Sequence, residues 1–256
     1  MLSFLRRRPS MPAATRPTVG DGLRVYAVGD IHGRDDLLER LLDMIGADHA
    51  ARPPMPMRLI LLGDLVDRGP QSAQVVERVI ALARSNADLV LLRGNHEEIF
   101  AAAARGDERA TRVLLRIGGG ATLASYGLDE AQSEMMDIAA VTRWMLNTIP
   151  RAHVDFIDAL PDQVEIGDYL FVHAGIRPNI GLSAQSPVDL RWIRHEFLDH
   201  EGMHPRFIVH GHSISVGVDE RPNRIGIDTG AYFSGCLTAL CLEGQARWLL
   251  ETAPLR

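Results

Sequence analysis

Three apolar runs near the start of the chain end alike, on a glycine followed closely by Asp or Asn: LRVYAVGD at 23–30, RLILLGD at 58–64 and DLVLLRGN at 88–95. Continuous Val, Ile and Leu runs of this length read as strands buried on both faces. Between them lie DDLLERLLDMIG at 35–46 and SAQVVERVIALARS at 72–85, whose apolar residues recur at helical spacing. The alternation of strand and helix implies a parallel sheet with crossover helices, and ligand sites in such sheets lie at the carboxyl ends of the strands.

From 96 to about 160 the pattern turns helical, notably in AAAARGDERATRVLLRIGG and EMMDIAAVTRWMLNTIP. This predicts a helical insertion at about 100–160 within the same domain. Short apolar runs then return as DQVEIG, YLFVHAG, RFIVHGHS, NRIGIDTG, CLTALCL and ARWLLE, with a helical PVDLRWIRHEFLD after the second. They predict a second sheet, mixed or antiparallel, packed on the first. The expected fold class is α/β, with a single folded unit over 23–256. Residues 1–22, rich in Pro, Arg, Ser and Thr without apolar periodicity, read as a flexible leader.

Composition narrows the partners. The 256 residues are 46% hydrophobic, enough for a sizeable core, and the net charge of −6 offers no broad basic field. A nucleic-acid backbone is therefore not expected as the main partner, and an anionic ligand requires a local cationic site. No apolar stretch approaches the roughly 18 residues of a membrane span, and MLSFLRRRPS lacks the layout of a secretory signal. Cys236 and Cys241, the two cysteines, read as buried thiols on opposite faces of a strand in a reducing compartment. Together these place the chain in the cytoplasm.

The strand ends carry the chemistry. Asp30-Ile31-His32 sets a carboxylate and an imidazole on one side of an extended segment, a pair suited to a borderline divalent metal such as Mn, Fe or Zn. Asp64 closes the second run and Asn95-His96 the third. Any one of these alone reads as turn chemistry; their recurrence at three successive strand ends points to a shared site. His173 in FVHAG and His212 in VHGHS follow later apolar runs in the same way.

Taken together and in this order, GDIHGR, GDLVDRG, GNHE, the VHAG histidine and the GHS histidine resemble the calcineurin-like metallophosphoesterases, within them the phosphoprotein phosphatase branch and its bacterial-type serine/threonine phosphatases. The resemblance implies an αββα sandwich, two mixed sheets flanked by helices, with a dinuclear metal centre at the strand ends. It assigns Asp30, His32 and Asp64 to one metal and Asp64, Asn95, His173 and His212 to the other. His210, in the same last motif, does not follow a glycine as the family's ligand does. The resemblance further implies two divalent ions, Mn²⁺ foremost, with Fe, Zn or Mg as alternatives. Hydrolysis then proceeds by direct attack of a hydroxide bridging the two ions. It makes His96 the general acid paired with Asp67, and Arg68 the phosphate-gripping residue. Arg194, in a Trp-x-Arg context, is the second phosphate ligand, with Arg177 and Arg191 as local competitors. Glu97 receives no chemistry beyond starting a helix.

The Asp of Asp-Arg-Gly favours a protein phosphatase acting on phosphoserine and phosphothreonine, because the related symmetrical dinucleoside tetraphosphate hydrolases usually lack it. Those hydrolases are the second expectation, and a non-catalytic module that binds a phosphorylated ligand is a third. The expected partner is a phosphorylated protein or a small phosphoester.

Overall fold

The computed structural model describes residues 16–252. Five strands form a first sheet in the order β10-β9-β1-β2-β3. They comprise β1 (Arg24–Val28), β2 (Met57–Leu61), β3 (Leu89–Leu91), β9 (Thr238–Glu243) and β10 (Ala246–Glu251). The second sheet runs β4-β5-β6-β8-β7, from β4 (Gln163–Ile166), β5 (Tyr169–Val172), β6 (Phe207–His210), β7 (Asp219–Glu220) and β8 (Arg224–Gly226).

The alternation of side chains explains the layers. In β1, Val25 and Ala27 face the second sheet, where they join Phe171, Val209 and Ile225, while Tyr26 and Val28 face the opposite way toward helices. Those helices include α1 (Asp35–Ala50), α2 (Ser72–Ser85) and α3 (Asn95–Ala104). On the far side, Leu170, Val172 and Ile208 of the second sheet pack on Leu190, Ile193 and Phe197. The result is helix, sheet, sheet, helix, with both strand faces apolar because both are covered.

Within the helical stretch that follows α3, Leu114, Leu123, Val141 and Met145 join the same outer core as α1 and α2. The region is thus packed on the first sheet.

Two expectations need correction. The last two strands do not extend the second sheet. β9 pairs antiparallel with β1, Val28 opposite Ala239, so the first sheet is mixed and β1 lies inside it. A strand buried along almost its whole length, as β9 is, needs a neighbour on each side, and apolar pattern alone does not say which sheet supplies them. Nor does packing begin only at Leu23. Residues 1–15 of the expected leader lie outside the described residues, but Val19 is buried between the sheets and Thr18 donates its N–H to Asp168.

Both cysteines are free; Cys241 is buried in β9, whereas Cys236 is half-buried and precedes the strand, so the expected pair of opposite faces does not apply. No helix among the described residues is long and apolar enough to cross a membrane.

Candidate metal centre

The parallel pairings bring the strand ends into line. Val28 lies opposite Leu61 and Leu61 opposite Leu91, so Asp30, Asp64 and Asn95 leave the first sheet at one edge. In the second sheet Phe171 lies opposite Val209 and His210 opposite Gly226, which delivers His173, His212 and also Asp228 to the facing edge. Hydrogen bonds join the two edges: His212 N–H donates to Asp30 Oδ2 at 3.0 Å, and His173 Nδ1–H to Leu62 O at 2.9 Å. Glycines make this approach possible. A Cβ on Gly94 would collide with Asp64 Oδ1, and one on Gly211 with Asp30 Oδ1, which explains why the motif residues Asn95 and His212 each follow a glycine.

The backbone is bent to serve the site. Six described non-glycine residues have positive φ, and five of them are His32, Asp64, Asp67, Arg68 and His212. Left-handed backbone disfavours side chains with a Cβ, and such outliers concentrate where function over-determines them.

The donor atoms converge on two points that share Asp64. With Nδ1 committed to Leu62 O, the His173 Nε2 lone pair faces Asn95 Oδ1 at 3.0 Å and Asp64 Oδ1 at 3.3 Å. With Nδ1 committed to Val66 O at 2.8 Å, the His32 Nε2 lone pair stands 3.5 Å from Asp64 Oδ2. Acceptors facing acceptors, as around His173, repel in a buried site unless a cation lies between them, whereas at His32 the Arg68 guanidinium already faces Nε2. His32, Asp64 and His96 form one group of ligand atoms within 4.8 Å of one another, and Asp64, His173 and His212 a second. The two groups share Asp64 and are candidates to hold divalent metal; the first contains His96 where the resemblance had placed Asp30.

Electrostatics agree. Burial pushes the imidazoles of His32 to about 3 and of His212 to about 2, and lowers His173 too, leaving their lone pairs free near neutrality. Burial, then the charges of Asp228 and Asp64, hold the Asp30 carboxyl well above its ordinary range. For Asp64 burial acts upward but is overcome by the surrounding histidines, His173 foremost, which keep it low. Three carboxylates gathered without a cation of matching charge are costly, and divalent metals relieve that cost.

His96 differs from the other histidines. Its Nδ1 stands 2.6 Å from Asp67 Oδ2; burial acts downward, but Asp64 and Asp67 prevail and raise its pKa, favouring the charged form. Asp67 is buried and held by Thr122, whose hydroxyl donates to Oδ1 at 2.7 Å. Arg68 reaches His32 Nε2 at 2.8 Å and His96 Nε2 at 3.1 Å with the two arms of its fork. Arg194 is exposed, and its charge is felt by His173 and His212. Its competitors are committed elsewhere, Arg177 to Asp189 and Arg191 to Asp162. His210 is buried against Phe197 and Arg224, away from the cluster.

Sequence reasoning missed two acids. Glu97 does far more than start α3: its carboxylate accepts the backbone N–H groups of Asp64, Leu65 and Gly94 at 2.7, 2.8 and 3.0 Å, and of Val66 at 3.3 Å. The signal was an acid at the third position of a helix, where it can reach back to backbone N–H groups. Asp228 accepts Gly230 N–H at 2.9 Å through one oxygen while the other is buried without a partner. It follows the apolar Ile225-Gly226-Ile227 within NRIGIDTG, as Asp30 and Asp64 follow apolar runs of their own.

The sequence profile of the calcineurin-like phosphoesterases matches residues 23–232. The chain belongs to that family. Members of this phosphoesterase family use divalent metals, in keeping with the donor set. Among curated relatives, the symmetrical bis(5'-nucleosyl)-tetraphosphatase of Acidovorax sp. (strain JS42) is 36% identical over 156 residues, 61% of this chain and 45% of that enzyme. The chain thus spans less than half the length of this relative. The asymmetrical bis(5'-nucleosyl)-tetraphosphatase PrpE of Anoxybacillus flavithermus (strain DSM 21510 / WK1) is 30% identical over 238 residues, covering 83% of this chain and 88% of that enzyme. A crystal structure of a candidate diadenosine tetraphosphatase superposes with a TM-score of 0.61 at 21% identity, covering 94% of this chain and 96% of that one. This phosphoesterase resembles dinucleotide hydrolases more than the protein phosphatases that Asp67 had favoured. Asp67 is wholly buried behind His96, so it is not placed to read what a phosphate is attached to.

Proposed function

We propose that this phosphoesterase hydrolyses dinucleoside polyphosphates, cutting bis(5'-nucleosyl) tetraphosphates asymmetrically. The observation that carries the reading is the match to the asymmetrical tetraphosphatase over 88% of its length. With diadenosine tetraphosphate the expected products are ATP and AMP, resolved by chromatography. ADP alone would move the cut to the symmetrical position of the Acidovorax relative, and turnover of phosphoserine peptides in preference to the dinucleotide would overturn the reading.

In this role Asp30, His32, Asp64, Asn95, His173 and His212 hold two divalent ions, Mn²⁺ foremost. When bound, the ions supply Lewis-acid neutralisation of phosphate charge and acidify water. The chain's own residues do the rest. Arg68 grips the phosphoryl oxygens with a fork suited to bidentate contact, and Arg194 adds a second cation from the other edge. His96, oriented through Nδ1 by Asp67, presents Nε2 to the departing oxygen as proton donor. A protonated His96 repels the Arg68 arm beside it, so loading the acid and releasing the guanidinium onto phosphate go together.

The leaving group sets how much the acid matters. An alkoxide needs a proton as it departs; a nucleotide phosphate leaves as a stable anion. His96→Asn is expected to slow hydrolysis of an alkyl phosphomonoester about a hundredfold or more, and diadenosine tetraphosphate markedly less, with metal content by elemental analysis unchanged. Loss of metal would place His96 among the ligands instead.

A further inference from the structure

Phe233 is 64% exposed, whereas Phe100, Phe171, Phe197 and Phe207 are buried and Phe156 is half-buried. Its position is not random. The ring packs edge-on to Tyr232 at 5.1 Å between centroids, and Tyr232 packs edge-on to His32 at 5.6 Å while Arg68 lies 5.0 Å over its ring. An exposed aromatic face thus stands two ring-steps from the candidate metal centre, about the reach of a nucleoside beyond its phosphate.

The segment that presents it is held in place. Arg34 Nη1 donates to Ala231 O at 3.0 Å, and Asp228 fixes the N–H of Gly230. Gly230 has φ +66°, and a Cβ there would collide with the Phe233 ring, so the ring lies across bare backbone. A platform fixed before the ligand arrives loses little entropy on binding. One ring is too small for a protein dock, which needs a patch of several hundred Å², but it matches the π-face that every nucleobase carries.

We infer that Phe233 is a stacking platform for the nucleobase attached to the phosphate under attack, and so a specificity determinant of this site. The inference rests on the polyphosphate reading above, and its test is separable from it. The full chain loaded with Mn²⁺ is titrated calorimetrically with hydrolysis-resistant phosphonates: that of adenosine, that of ribose, and phenylphosphonate. The adenosine compound is expected to bind about tenfold more tightly than the ribose compound. Phe233→Ala should erase that difference by weakening the adenosine compound alone, and Phe233→Trp should retain it. Equal binding of the two in the unaltered protein, or a difference that survives Phe233→Ala, overturns the platform. A larger gain for phenylphosphonate than for the adenosine compound overturns the nucleobase assignment in favour of a phosphotyrosyl ring. A platform that passes in a protein unable to cleave diadenosine tetraphosphate would stand while the polyphosphate reading fell.

Discussion

Asp64→Asn is expected to lower kcat/KM on the order of a thousandfold, a loss of ~4 kcal/mol in transition-state stabilisation. Among the described residues, Asp64 is the member common to both groups of donors. Its Oδ1 faces His173 and its Oδ2 faces His32, and the amide that replaces it keeps one acceptor and turns an NH₂ toward the other group. The negative charge that Asp64 presents to both groups disappears with it. Metal content by elemental analysis should fall below two ions per chain, while circular dichroism stays that of the folded protein, since removing a buried charge spares its desolvation. Two ions and full activity in the variant would show that Asp64 does not bridge.

Glu97→Gln should be the most destabilising single change near the site, at least ~3 kcal/mol by denaturant unfolding. Four backbone N–H groups converge on one buried carboxylate. Glutamine offers one oxygen where there were two, and its NH₂ faces donors. Each orphaned buried N–H costs about 1–3 kcal/mol. Burial and the nearby Asp64 push the Glu97 carboxyl up to about 7, against His96 and the backbone N–H groups of Leu65 and Gly94, which favour its charged form. The loss should extend to activity, because the same N–H groups set the turn from which Asp64 projects. A variant as stable as the parent would mean the turn is held by something else.

These two residues mark what the sequence made legible. Asp64 stood out because it ends an apolar run, as Asp30 and Asn95 do, and recurrence separates a site from turn chemistry. Glu97 lies two residues past Asn95, yet its work is done on backbone that no residue pattern exposes. Arg194 was one of three arginines along a short stretch; only the structure showed that Arg177 and Arg191 hold acids of their own. The helices and the two-layer sheet were readable from periodicity, but the sheet membership of β9 and β10 was not. An apolar strand carries no mark of its neighbour, and here the neighbour lies more than half the chain away. The identity of the substrate was hardest of all, since the motifs describe the phosphoryl end and the proposed Phe233 platform lies beyond them.

The place of β9 beside β1 also bears on the order in which the molecule can be made. Until residues 238–243 leave the ribosome, β1 is an edge strand with unsatisfied backbone groups, and Gly29, one residue before Asp30, lacks the Thr238 carbonyl that receives its N–H at 3.0 Å. Every proposed metal ligand has by then been synthesised, but the strand that steadies the first of them has not. The frame around the candidate ligands is thus completed by β9, and a nascent chain that stops short of residue 238 would carry the proposed ligands without it.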